Sequence, residues 1–329
     1  MFVRIAIVSY YFGSLSGEEQ CRRALRRAFL THVECDEVVS VVAERPDPEL
    51  RPQDFPGVGN VAIETIDLTR FDVVLAFSYW EDLKVSANTF VISYVVNLPP
   101  QLRGWPDFTA SRFLAAMPRS DLFLCNSQMI VNSLVEAKVP AAFLPMFADS
   151  ELFAVTRAPE QRGDSIIFVG SDLGYKGAAI LRYVEPCLRF NLNLYGFGWA
   201  DEKWKRAYKG TAEAKRLGSL YTNAGICLGV TADYQRRLGM VNNRVFDVLG
   251  SAGVLLSDQV SWVEENLGEY CTLTDGDADT IRQVKQLFAH QDEARRRAHR
   301  GAALIQAKHT EFNRADEIMS LIRVHKCKL

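Results

Sequence analysis

Residues 73–77 read VVLAF and residues 90–96 read FVISYVV. Runs that are apolar at nearly every position, rather than at every second one, belong to strands covered on both faces. Such strands build a parallel sheet, and parallel neighbours need helical crossovers between them. The rest of the chain supplies both. Strands are expected over 4–10, 37–42, 61–66, 71–77, 90–96, 121–125 and 141–145, with helices over 17–30, 109–116 and 128–137. After a polar stretch at 158–164 the scheme repeats. Strands fit 165–169, 192–195, 226–230, 254–257 and 270–273; helices fit 178–190, 212–223, 244–250, 277–289 and an arginine-rich segment beyond. The expected class is α/β, twice over.

A length of 329 residues suits two domains better than one core. Hydrophobic content of 48% and charged content of 24% are those of a soluble globular chain, and no apolar run reaches the roughly 18 residues a membrane span requires. The opening MFVRIAIVSYYF reads as a first strand, not a cleavable signal. Seven cysteines, an odd count without CxxC spacing, argue against a disulfide framework or structural zinc, and the five histidines form no HExxH. A cytoplasmic chain that needs no metal and no cofactor is expected. The net charge of −2 disfavours bulk nucleic-acid binding. Residues 1–150 carry 13 Lys+Arg against 18 Asp+Glu, net −5, and residues 151–329 carry 25 against 22, net +3. An anionic ligand is better received by the second half.

Doubly wound sheets bind ligands at the carboxyl ends of their strands, so the strand-end loops are where chemistry is sought. In the second half, Gly170 and Ser171 precede Lys176, a cation at a helix start. Gly196 and Trp199 sit in an aromatic glycine turn suited to stacking on a base, and Tyr221 ends a helix. Asn242 and Asn243 supply N-cap chemistry for a helix carrying Arg244 and, one turn on, Asp247, an arrangement fit for a diphosphate and a ribose diol. In the first half, Gly13 and Glu18 follow the first strand, Tyr79, Trp80 and Glu81 follow the 71–77 strand, and Trp105 and Asp107 lie in a proline-rich loop. Aromatics beside carboxylates suit a sugar and a general base; Glu81 is the preferred base, with Glu18 and Asp107 as candidates. Each motif also has a plainer reading, as a turn, a cap or a solvated charge.

In order, the motifs FVGS (Phe168–Ser171) with Lys176-Gly177, LNLYGFGW (Leu192–Trp199), Tyr221–Leu228, Asn242–Asp258 and HTEFNR (His309–Arg314) resemble the CgeB-like (spore maturation) glycosyltransferases, within the GT-B superfamily. The resemblance runs over residues 165–322. It implies two Rossmann-like domains facing across a cleft, with a last helix crossing back to the first: an acceptor domain over 1–157, a nucleotide-sugar donor domain over 158–310, and the returning helix over 311–329. Phe312, Ala315, Ile318, Met319 and Ile322 are spaced as the buried stripe of that helix. The resemblance further implies a donor site in which Lys176 and Arg244 meet the diphosphate, Asp247 the ribose and the 195–199 turn the base. Relatives commonly have Glu where Asp247 stands, and Gly239 replaces the first Glu of the E-x7-E pair of many retaining relatives. The implied activity is metal-independent transfer of a sugar from a nucleotide sugar to a hydroxyl acceptor such as a glycan. The alternatives are a nucleotide-sugar epimerase of the same fold and a non-catalytic nucleotide- or glycan-binding protein. Arg22, Arg23, Arg26 and Arg27 share a helix and leave room for weak contact with a membrane surface, though a solvated face is the plainer reading.

Overall fold

The computed structural model describes residues 3–10, 17–43, 60–104, 107–155, 163–172, 174 and 176–326. The chain divides into two compact units, one formed by Met1–Pro145 with Glu311–Leu329 and the other by Met146–Thr310. The division falls after Pro145, upstream of the polar stretch at 158–164 that the sequence marks. Two long-range bonds fix that place. The Pro145 carbonyl accepts from the Tyr94 hydroxyl at 3.0 Å and from Arg314 Nε at 2.9 Å, so the chain is held within the first unit up to this residue.

The first unit is built on seven strands, β1 (Val3–Tyr10), β2 (Cys35–Ala43), β3 (Asn60–Ala62), β4 (Val73–Phe77), β5 (Phe90–Val95), β6 (Leu122–Cys125) and β7 (Ala141–Phe143). They lie in the order β3-β2-β1-β4-β5-β6-β7, with every pairing parallel. β4 and β5 are buried at every residue, as their unbroken apolar runs require. From β1 the chain builds outward through β2 and β3, then returns to the opposite side of β1 for β4. The switch point of this sheet therefore lies between β1 and β4, where Ile5 to Val8 pair with Val73 to Ala76. The expected strand over 61–66 is shorter, since Ile63–Thr65 turns into a 3-10 helix after Ala62.

Two helices of this unit pack together, Gly17–Thr31 and Glu311–Lys326. The arginine-rich face of the first, expected to meet solvent or a membrane surface, is partly internal. Arg22 has no exposed surface and forms a fork with buried Glu19, and Arg27 pairs with Glu311, itself fully buried. On the last helix Ala315, Ile318, Met319 and Ile322 are buried as a stripe, whereas Phe312 stands off it, 41% exposed.

The second unit contains β8 (Ile166–Val169), β9 (Leu192–Tyr195), β10 (Ile226–Gly229), β11 (Leu255–Asp258) and β12 (Thr272–Thr274), parallel in the order β12-β11-β10-β8-β9. The chain goes from β8 to β9 on one side and resumes with β10 on the other, so the switch point lies between β8 and β10. The helix expected over 178–190 begins as α over Gly177–Ala179, widens to a π turn over Ile180–Val184 and tightens to 3-10 over Glu185–Arg189. Pro186 explains the change: it has no N–H to continue the α ladder. Ile166, Phe168, Leu192, Leu194, Ile226 and Leu228 put their side chains into one core layer with Ile180, Val184, Trp199 and Trp204. Among the described residues, no helix is long and apolar enough to cross a membrane.

Candidate functional site

Arg244 occupies the switch point of the second sheet. The helix Asn243–Gly250 starts there because Asn242 Oδ1 accepts from the Arg244 N–H at 3.0 Å, a side-chain N-cap. From that first turn the Arg244 side chain reaches both sides of the switch: Nε donates to the Val169 carbonyl at 2.7 Å and Nη1 to the Val230 carbonyl at 3.2 Å. Its guanidinium carbon lies 4.9 Å from the centre of the Phe168 ring, and the residue is only 9% exposed. The carbonyls that end β8 and follow β10 lack strand partners beyond those points, and the planar fork satisfies both while keeping its charge. The expected diphosphate contact is thus first of all a strap across the strand ends.

The glycine loops after β8 and β9 are interlocked. Gly170 N–H donates to Tyr195 O at 2.8 Å, Asp172 N–H to Phe197 O at 2.9 Å and Phe197 N–H to Ser171 Oγ at 3.1 Å. A Cβ on Gly198, whose φ is +83°, would lie 1.9 Å from the Asp172 carbonyl oxygen, so this approach admits no side chain. Lys176 stands at the N-terminal boundary of the Gly177–Ala179 turn, without a side-chain capping bond. The structure corrects the expected role of Trp199. Its ring is 4% exposed, packs edge-on against Phe168 and Trp204, and donates from Nε1 to the Gly170 carbonyl at 3.0 Å. It offers no face to a base, whereas Phe197 in the same turn is 44% exposed.

Asp247 is buried beside Arg244, and its Oδ2 accepts from Asn243 Nδ2 at 2.9 Å. Burial holds its carboxyl well above the usual aspartate range, against the pull of the Arg244 charge and with the added repulsion of Asp149. Tyr221 is likewise buried, its phenol raised by desolvation and flanked by Arg244 and Asp247. These two residues therefore line the inner wall of the strand-end region. Beside the switch, Asp258 at the end of β11 accepts from Thr231 N at 3.0 Å and Thr231 Oγ1 at 3.1 Å, yet burial pushes its carboxyl up to about 6. A raised carboxyl binds its proton more tightly in the folded state, so the folded state loses stability as pH rises from about 4 through 6. The size is about 3 kcal/mol, at about 1.4 kcal/mol per unit. Asp258→Asn removes that titration. The difference in unfolding free energy, wild type minus variant, is expected to fall by about this amount between pH 4 and pH 7; a flat difference contradicts it.

Next to β9 lies a polar pocket of about 250 Å³, lined by Asn193, Tyr195, Lys209, Thr211, Arg216 and Leu220. Asn193 and Tyr195 alternate with the core residues Leu192 and Leu194, which turns them toward the Ala214–Asn223 helix that carries Arg216 and Leu220.

In the first unit the switch point gathers the aromatic residues singled out by sequence. Ser78, directly after β4, has a left-handed backbone (φ +47°) and a buried hydroxyl with no hydrogen-bond partner. After this bend, Tyr79 and Trp80 pack on Tyr10, the last residue of β1, with ring centres 4.9 and 5.4 Å away. The Tyr10 hydroxyl donates to Glu81 Oε1 at 3.1 Å. Tyr79 is buried, and its phenol is pushed up to about 12, mainly by desolvation and then by Glu81. Arg103 lies 5.9 Å from the centre of the Trp80 ring. Glu18 is held separately, accepting from Asn97 Nδ2 at 3.0 Å, and Asp107 is exposed with no side-chain partner among the described residues. Glu81 alone of the three candidate bases joins the aromatic cluster. Gly13 and Trp105 lie outside the described residues. Tyr10, Asn97 and Arg103 were not singled out by sequence; the position of Tyr10 at the end of a first strand was the available signal. Among the described residues, no group of three or more His, Cys, Asp or Glu is placed to hold a metal ion.

Residues 178–320 match a family described as glycosyl transferase-like. Among curated proteins, none matches the sequence. Solved structures match over nearly the whole chain. A sucrose-phosphate synthase from Thermosynechococcus elongatus is 12% identical with a TM-score of 0.65, covering 99% of this chain and 100% of its own. HepE from Anabaena, in complex with UDP and glucose, is 10% identical with a TM-score of 0.66, covering 98% and 100%. The pneumococcal O-GlcNAc transferase GtfA, in complex with UDP and GlcNAc, is 9% identical with a TM-score of 0.65, covering 98% and 99%. At these identities the likeness is one of fold, and the fold is GT-B. Over most of its second unit the chain is also glycosyl transferase-like in sequence.

Proposed function

We propose that this chain transfers a sugar from a nucleoside diphosphate sugar to an acceptor hydroxyl, with no essential metal, and that it belongs with the CgeB-like glycosyltransferases. The observation that carries this reading is the β8/β10 switch, where Arg244 ties two strand ends together and the interlocked glycine loops lead into Lys176 at the start of the next turn. The likeness to structures bound to UDP and sugars makes a UDP-sugar the first donor to try. In this reading Lys176 neutralises the departing diphosphate in place of a cation. Phe197 and the polar pocket beside Tyr195 receive the nucleoside, and Asn243, half-buried on the first turn of its helix, approaches the ribose while buried Asp247 holds its amide. The acceptor lies beside Trp80 and Glu81 of the first unit, with buried Tyr79 behind them. Glu81 takes its proton as its oxygen attacks the anomeric carbon, and the bond from that carbon to the phosphate oxygen breaks with its electron pair leaving on UDP.

The test is binding followed by turnover. UDP-glucose at about 100 times its dissociation constant is expected to raise the unfolding free energy by about 2.7 kcal/mol. Lys176→Ala is expected to weaken UDP by roughly 1.5–3 kcal/mol, the loss of one charge-assisted contact. Release of UDP from UDP-glucose is expected to continue in EDTA. Undiminished UDP affinity in Lys176→Ala removes the assigned contact, and activity lost to chelator and restored by Mg²⁺ or Mn²⁺ removes the metal-free mechanism.

A further inference from the structure

We infer that Tyr10 is the positioning residue of the first-unit site, a role that rests on the reading of Glu81 as the base. Glu81 is exposed, and a free glutamate side chain at a surface samples many rotamers. Here one carboxylate oxygen is fixed by the Tyr10 hydroxyl at 3.1 Å, and the other oxygen has no partner among the described residues. The phenol that fixes it is itself immobile. Tyr10 is 4% exposed, ends β1, and is held by the rings of Tyr79 and Trp80. The bond joins residues 71 positions apart, across the line between β1 and β4 where the sheet changes direction.

A second observation marks the same spot. Serine in a left-handed backbone is strained, and a buried hydroxyl without a partner adds to that cost. Ser78 carries both features and is held there by its N–H, which donates to the Tyr94 carbonyl at 3.1 Å. The bend it makes is what lays Tyr79 and Trp80 against Tyr10 and brings Glu81 within reach of the phenol. A straight continuation of β4 would instead send successive side chains to opposite faces. The strain is thus located where the carboxylate is aimed. The Tyr10 hydroxyl turns one lone pair of Glu81 inward and leaves the second oxygen directed at the acceptor. In the transfer step the acceptor proton goes to that second oxygen, while Tyr10 keeps its own proton throughout.

Tyr10→Phe keeps the ring and its packing and deletes only the hydroxyl. The experiment compares wild type, Tyr10→Phe, Glu81→Gln and the double variant, reading UDP released from UDP-glucose to water and to a mixture of simple alkyl glycosides. Tyr10→Phe is expected to lower kcat about tenfold with KM for UDP-glucose unchanged, and Glu81→Gln to lower it by about 10² to 10⁴. In the Glu81→Gln background the Tyr10 substitution is expected to cost nothing further, since the group it positions is gone. A tenfold cost that persists in that background overturns the proposal and assigns Tyr10 to packing. If Glu81→Gln releases UDP at the wild-type rate, the base reading fails and the proposal falls with it. A readout independent of turnover is the NMR order parameter of the labelled Glu81 side chain, expected to drop in Tyr10→Phe; an unchanged value overturns the positioning role whatever the rates show.

Discussion

Cutting the chain after Thr310 is expected to leave the first unit unable to fold. The helix so removed, Glu311–Lys326, contributes Ile318, Met319 and Ile322, each at most 2% exposed. At about 1.5–3 kcal/mol for each buried side chain, these three amount to roughly 5–9 kcal/mol, comparable to the whole stability of an ordinary domain. The polar losses add to this. Glu311 is the partner of Arg27, and Arg314, fully buried, donates to the Pro145 carbonyl. Half-buried Arg27 is left without that partner, and the Pro145 carbonyl keeps only the Tyr94 hydroxyl of its two side-chain donors. The measurement is the thermal unfolding of residues 1–310 beside the full chain. The expected result is loss of the transition belonging to the first unit, or insoluble protein; an unchanged transition refutes the account.

Arg244→Ala is expected to destabilise the second unit by about 3–5 kcal/mol. Its guanidinium is the partner of the Val169 and Val230 carbonyls at the ends of two central strands, and alanine leaves both unsatisfied at roughly 1–3 kcal/mol apiece. The ring of Phe168 loses the cation packed over it as well. Arg244→Lys keeps the charge but presents a single ammonium where a planar fork reaches two acceptors, so it is expected to recover only part of the loss. Urea unfolding of both variants checks the order wild type, Lys, Ala. A variant with alanine that unfolds within about 1 kcal/mol of wild type shows that the strand ends are satisfied without the strap. The same variants separate structure from ligand, because a residue that served only the diphosphate leaves the apo unfolding curve where it was.

Much of the architecture is legible in the sequence, for a physical reason. Unbroken apolar runs such as 73–77 and 90–96 have few stable solutions other than interior parallel strands, and both are strands buried throughout. The Asn242 cap is also local chemistry, and it is found where the sequence puts it. The site is less legible because spacing gives a face but not what the face meets. Asn243 and Asp247 share a polar face; in the structure that face looks inward, toward Arg244 and Asp149, and Asp247 is buried. Likewise YGFGW promises an aromatic turn, but which of its rings is free depends on a backbone approach between Gly198 and Asp172 that no local pattern encodes. The division between the units differs from the polar stretch for a related reason. The polar stretch near 158–164 looks like a linker, while the division is set at Pro145 by partners 51 and 169 positions away. Tyr10 and Glu81, 71 residues apart, illustrate the same point: a single hydrogen bond across a sheet leaves no periodic trace.

The first unit is interrupted. Its chain leaves at Pro145 and returns at Glu311, and the second unit, Met146–Thr310, is continuous. During synthesis the two are therefore not completed in the order they are begun. The strands β1 to β7 emerge from the ribosome without the Glu311–Lys326 helix that packs on Gly17–Thr31, and they wait while the whole of the second unit is made. At roughly 5–20 residues per second that interval is on the order of 10–30 s, long compared with the folding time of a small domain. The second unit has all its strands by the end of that interval and is free to fold at once. The first stays exposed, its arginine helix without Glu311, until Glu311–Lys326 is made. A chaperone that recognises unfinished apolar surface finds it on the unit begun earlier of the two.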